Sequence, residues 1–79
     1  MKITEALSKR ILEICDEQKA SVCDICVRAG LSPNNIYDLL NNRSKYPRIK
    51  TIQRFCEGAN ISLAKFFTSE LFQNLEQED

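Results

Sequence analysis

Asn34 and Asn35 stand side by side, followed by Tyr37 and Asp38, with the apolar Ile36, Leu39 and Leu40 interleaved. An asparagine amide donates and accepts at once, which matches the N7 and N6 groups that adenine presents in the major groove of DNA. The competing role for both asparagines is that of polar residues favouring the first turn of a helix. Asp38 only accepts. It fits cytosine N4 and repels phosphate, and its alternatives are a solvated charge or a partner for Arg43. Tyr37 suits a thymine methyl, a phosphate, or packing on the segment that follows. Arg43, Lys45 and Arg48 come next, with the charge to hold phosphate oxygens and so position a domain without reading sequence. Their alternative is an ordinary solvated surface.

Other chemistries find little support. The chain has no histidine, which removes the usual general base and metal ligand. Its serines, threonines and aspartates fall at capping or surface positions, and no glycine-rich loop could cradle a phosphate. Neither enzymatic activity nor a cofactor or small-molecule effector is expected. Cys23 and Cys26 have a ligand-like spacing, but they lie inside a predicted helix without a second pair, so no metal site is expected. Cys26 and Cys56 occupy core positions and Cys15 lies beside the core stripe, as small apolar residues. Cys23 is the most exposed of the four and the single candidate for thiol sensing.

The residues at 34–38 need an element to present them. Ser21 to Asn42 reads as two short helices around a tight turn. Ser21 with Asp24 three residues on forms a capping box, and Gly30 can adopt the left-handed conformation that ends a helix. Ser32 as N-cap and Pro33 at the first helical position open the second helix, with Leu31 plugging the corner. Helix, glycine turn and helix together form a helix-turn-helix, whose second helix is offered to the major groove. Ile36, Leu39 and Leu40 share one face of that helix, leaving Asn34, Asn35, Tyr37, Asp38 and Asn41 on the other.

Around this motif the pattern predicts helices over about 4–17, with Leu7, Ile11 and Ile14 inward and Leu12 and Cys15 widening the stripe. A helix over about 49–59 buries Ile49, Ile52, Phe55 and Cys56, and Gly58 and Asn60 mark its end. A fifth helix follows Ser62, with Leu63, Phe66 and Phe67 inward. Leu71, Phe72 and Leu75 prolong the apolar pattern. The 79 residues thus make an all-α, compact five-helix bundle, with a domain over 1–70 and a helical extension and acidic tail over 71–79. No stretch is apolar enough to span a membrane, and the charged N-terminus does not read as a signal peptide, so a cytoplasmic location is expected. The formal net charge of zero hides an uneven distribution. No acid occurs from Leu39 to Cys56, no base occurs after Lys65, and residues 1–65 carry 11 bases against 7 acids, a net of +4.

The ordered set Ile25-Cys26…Ala29-Gly30-Leu31-Ser32…Ile36…Leu39, then Pro47…Ile52…Phe55-Cys56…Ala59-Asn60-Ile61-Ser62-Leu63…Phe66-Phe67, resembles the Cro/phage-repressor (Xre) helix-turn-helix family over roughly residues 5–70. The resemblance implies a lambda-repressor-like five-helix bundle that binds operator DNA, usually as a homodimer. It places the recognition helix at Ser32–Asn41 and base-contacting positions at Asn34, Asn35 and Asp38, with Tyr37 beside them. It places backbone contacts at Ser21 and Val22, and at Asn41, Arg43, Lys45 and Arg48; Ser32 is a further backbone candidate. Two residues depart from the family: Val22 stands where glutamine commonly braces the DNA backbone, and Leu40 where glutamate is frequent.

The expected function is a dimeric, repressor-like regulator binding double-stranded DNA. One short helix reads few base pairs, and a two-fold dimer on a palindrome supplies the rest. Phe67, Leu71, Phe72 and Leu75 are the candidate dimer surface, the alternative being that they fold back on the first helix and complete the core. A second reading is a protein-interaction module of antitoxin or anti-repressor type acting through the helix 5 surface.

Overall fold

The computed structural model describes residues 1–77. Five α-helices follow in order: α1 Ile3–Gln18, α2 Val22–Ala29, α3 Pro33–Leu40, α4 Ile49–Ala59 and the one-turn α5 Leu63–Phe66. A single 3-10 turn, Glu70–Phe72, comes after them, and no strand occurs among the described residues. The all-helical architecture and the boundaries of α2, α3 and α4 are those the sequence predicts.

Local chemistry sets those boundaries. The Ser21 hydroxyl accepts the Asp24 N–H at 3.0 Å while the Ser21 N–H donates to the Asp24 carboxylate at 3.0 Å, completing the capping box. Each of the first four helices closes with a left-handed residue and paired back-bonds. After α2 these run from Gly30 N–H to the Val27 carbonyl and from Leu31 N–H to Cys26. Lys19, Asn42 and Asn60 do the same after α1, α3 and α4, satisfying carbonyls a helix end would otherwise strand. Ser32 and Pro33 open α3 as expected, but the Ser32 hydroxyl makes no capping bond.

Ile11, Ile25, Ile36, Phe55 and Phe66 are fully enclosed, with Leu39, Ile14 and Ile52 beside them. Each such side chain contributes about 1.5–3 kcal/mol of apolar burial. Three expectations need correction. Leu12 is 52% exposed and Ile49 60% exposed, because each lies at the edge of its helix's apolar stripe with no neighbouring element to cover it. Gly58 does not end α4. It is the penultimate residue of the helix, where a Cβ would lie 2.2 Å from the Ile25 carbonyl oxygen, so its missing side chain lets α2 and α4 pack closely. The fifth helix stops at Phe66, and Leu71 and Phe72 belong to the separate 3-10 turn.

One buried residue escapes the sequence pattern. Arg10 is 7% exposed. Its guanidinium donates to the Phe66 carbonyl at 2.7 Å and the Lys65 carbonyl at 3.0 Å, pairs with Glu13, and lies 5.9 Å from the centre of the Phe66 ring. A charge this buried persists because its donors are spent on the C-terminal carbonyls of α5.

Candidate nucleic-acid interface

The inner face of α3 is fixed first. Ile36 and Leu39 are buried, Leu40 is half-buried against the core, and the Ser8 hydroxyl of α1 reaches the Leu39 carbonyl at 3.3 Å. With that face anchored, the outer face is presented in two parallel stripes. Asn34, Tyr37 and Asn41 form one and Asn35, Asp38 and Asn42 the other, each at i, i+3, i+7 spacing. Asn34, Asn35 and Asn41 are exposed, Tyr37 is 39% exposed, and Asp38 is half-buried.

The chain leaves α3 through a left-handed Asn42, and the Arg43 and Ser44 N–H groups both donate to the Asp38 carbonyl, at 2.8 and 3.3 Å. This turns the 43–48 loop back alongside the helix. Between them opens a cleft of about 480 Å³, lined by Asn35, Asp38, Arg43, Ser44, Tyr46, Pro47, Arg48 and Thr51, with Leu39 at its floor. The structure therefore gathers Asn35, Asp38, Arg43 and Arg48 around one depression. Asn34, Tyr37 and Asn41 stand outside it, on the exposed crest of the helix. Lys45 is exposed beyond the cleft's rim. Asp38 does not pair with Arg43: no acid lies within 4 Å of Arg43, Lys45 or Arg48 among the described residues.

The other end of the motif is arranged differently. Val22 is buried, so the first position of α2 faces the core and has nothing to offer a phosphate. The exposed Ser21 hydroxyl accepts from the Asp24 N–H and is engaged with that residue as a cap. The Ser21 N–H and hydroxyl hold the Asp24 carboxyl below its usual range. Ser32 is exposed and unengaged at the head of α3.

Arg54 is the residue the charge pattern misplaced. It belongs to the acid-free basic run, yet its guanidinium donates to the Ala29 carbonyl at 3.0 Å and to that of Gly30 at 3.3 Å. It closes the C-terminus of α2 and buttresses the turn that sets the angle between α2 and α3. A cation in mid-helix carries no sequence mark separating this role from a solvated one.

Phe67 and Phe72 are half-buried, packed against the core, and form an aromatic cluster with Phe66 in which ring centres lie 4.9–5.9 Å apart. Leu71 and Leu75 are also half-buried. Cys15, Cys26 and Cys56 are buried and Cys23 is exposed, and no group of three metal-ligating side chains occurs among the described residues. Burial raises the thiol pKa of Cys15 and of Cys26, and takes that of Cys56 to about 11.

A capped helix pair around a left-handed glycine, with a polar second helix and a cationic loop at its end, has a counterpart among known families. The sequence profile of the Cro/C1-type HTH DNA-binding domain matches residues 10–68. The chain belongs to this family. The fold is also similar to a solved structure: the crystal structure of the prophage Lp1 protein 11 superposes with a TM-score of 0.80 at 28% identity, covering 95% of this chain and all of that one. No curated protein matches. The profile spans α2, α3 and the loop after it, so the cleft described above lies within the Cro/C1-type DNA-binding domain. No helix among the described residues is long and apolar enough to cross a membrane.

Proposed function

We propose that this protein is a sequence-specific transcriptional regulator of repressor type, acting in the cytoplasm as a homodimer on a palindromic operator. The observation that carries the reading is the cleft beside α3. There Asn35 and Asp38 share a cleft with Arg43 and Arg48, in a loop whose three cations, Arg43, Lys45 and Arg48, have no acidic partner among the described residues. Asn34 and Asn35 read adenine, Asp38 accepts from cytosine N4, and Tyr37 contacts a thymine methyl or a phosphate. Arg43, Lys45 and Arg48, with Asn41, Ser32 and Ser21, hold the backbone. Because Val22 is buried, the α2 side of the footprint is thin, and the loop side dominates affinity.

Dimerisation follows from reading length, since one eight-residue helix covers only a few base pairs. Phe67 and Phe72 give part of their surface to the subunit's own core, and the remainder, with Leu71 and Leu75, supports a two-fold contact.

Selection of sites from random duplex DNA tests the whole reading. The expected result is a palindrome whose half-sites lie about one helical turn apart. A salt titration on the selected site should lose roughly three ions per subunit, given a log–log slope near −0.9 per phosphate contact. A slope near zero, or enrichment of nothing, would sink the proposal.

A further inference from the structure

A second depression, about 350 Å³ in volume and predominantly apolar, runs between the start of α1, the 43–48 loop and the start of α4. Its walls include Ile3, Leu7, Tyr46, Pro47, Ile49 and Phe67. Three of these are large hydrophobic side chains left in water: Ile3 at 37% exposure, Ile49 at 60% and Tyr46 at 91%. Apolar residues scattered singly over a surface need no explanation, whereas three converging on one groove mark an interaction site. The volume falls near the lower end of the roughly 300–1,000 Å³ typical of ligand clefts, enough for a short segment and too little for a domain.

The rim of the groove is cationic. Lys45 lines it, and Lys2 shares an adjoining hollow with Lys45 and Tyr46. Arg48 and Lys50 flank Ile49 in the chain. Among the described residues, no acidic side chain lines either hollow. This charge decides between occupants. A second copy related by a two-fold axis would set these cations against their own counterparts, and like charges face to face cost affinity. Duplex DNA satisfies the cations but presents phosphates, not apolar anchors, to Ile3 and Ile49.

We infer that this groove docks a short acidic peptide segment of a partner protein. One or two apolar side chains seat between Ile3, Tyr46 and Ile49, and flanking carboxylates pair with Lys45 and Lys2. Tyr46 and Pro47 line both this groove and the cleft beside α3, so the 46–47 segment is a wall common to the two, with Lys45 next to it. An occupant that takes Lys45 removes a phosphate contact from the loop beside the neighbouring cleft. Docking therefore competes with DNA, and this second half of the inference rests on the DNA-binding reading while the docking does not.

The test selects short peptides from a random display library on the full chain, then measures the enriched peptides by fluorescence anisotropy. Enriched peptides should carry net negative charge around apolar anchors. Their affinity should fall about tenfold or more in Ile49→Ser and in Ile3→Ser, and stay within twofold in Leu12→Ser, which removes an exposed leucine outside the groove. All three sites are surface positions, and circular dichroism checks that each variant folds. Saturating peptide should then release the chain from a random-sequence duplex. Peptides without acidic bias, or binding indifferent to the two groove substitutions, overturn the proposal. So does a concentration-dependent dimer that Ile49→Ser abolishes, since the groove would then belong to a second copy. Peptide docking without any duplex binding upholds the groove and defeats the DNA reading, whereas duplex binding that peptide leaves intact defeats the competition.

Discussion

At the scale of single residues, the two stripes of α3 and the cations after it should separate cleanly. Asn34→Ala is expected to cost about 1–3 kcal/mol on the selected operator and little on random duplex. Arg43→Ala should weaken both DNAs alike and reduce the salt slope by about one. Equal losses on both DNAs for both variants would mean the roles are wrongly divided. The cysteines give a second residue-level check. Cys23 is exposed, while burial disfavours the thiolate at the other three and takes Cys56 to about 11. Mass spectrometry after brief alkylation of the native protein near neutral pH should therefore find Cys23 modified, and Cys15, Cys26 and Cys56 only after unfolding. The outer face of α3 was legible because its types and periodicity are local information. Arg10 and Arg54 were not, because a charge reads as solvated until the carbonyls it serves are known, and those lie 55 and 25 positions away.

At the scale of elements, caps predicted boundaries well and packing predicted them poorly. Ser21 with Asp24, Gly30 and Asn60 specify their own conformations within a turn, so α2 and the end of α4 could be placed from a few adjacent letters. Leu12 and Ile49 were misread because helical periodicity says which residues share a face, not whether another element covers it. Gly58 is the sharpest case. Its reason for being glycine lies across the fold, at the Ile25 carbonyl. Gly58→Ala would gain about 1 kcal/mol of helix propensity in isolation, yet it must push backbone away at the α2–α4 contact. Thermal denaturation should show a net loss of about 1–3 kcal/mol. At the turn between α2 and α3, Arg54→Met should lower operator affinity without changing the salt slope, because the guanidinium serves carbonyls and not phosphates. A drop in slope equal to that of Arg43→Ala would place Arg54 on the DNA instead.

At the scale of the molecule, charge and core titrate differently. The net charge of zero combines an acid-free run from Leu39 to Cys56 with an acidic tail that offsets it. In the fold, part of that run surrounds the cleft. Stability should respond to alkali through Cys56. Its folded pKa lies near 11 against an ordinary 9.0, so the thiol stabilises the fold fully below pH 9, and that contribution is lost as pH rises towards 11. The loss amounts to about 2–3 kcal/mol at about 1.36 kcal/mol per pKa unit. Urea denaturation at pH 8 and pH 11 measures it, and Cys56→Ala, less stable at both, should lose this component of the pH dependence. One contact at the edge of the structure bears on how the chain can be rewired. The Met1 amine lies 3.5 Å from the Glu76 carboxylate, and the Glu76 N–H donates to the Met1 carbonyl at 3.0 Å. A few glycines joining residue 77 to residue 1 would close the backbone into a ring. Such a circle could be reopened at the exposed Lys19, whose left-handed backbone is already costly. The permuted chain would keep α2, α3 and the 43–48 loop in unbroken order, and with them the ability to bind the same duplex.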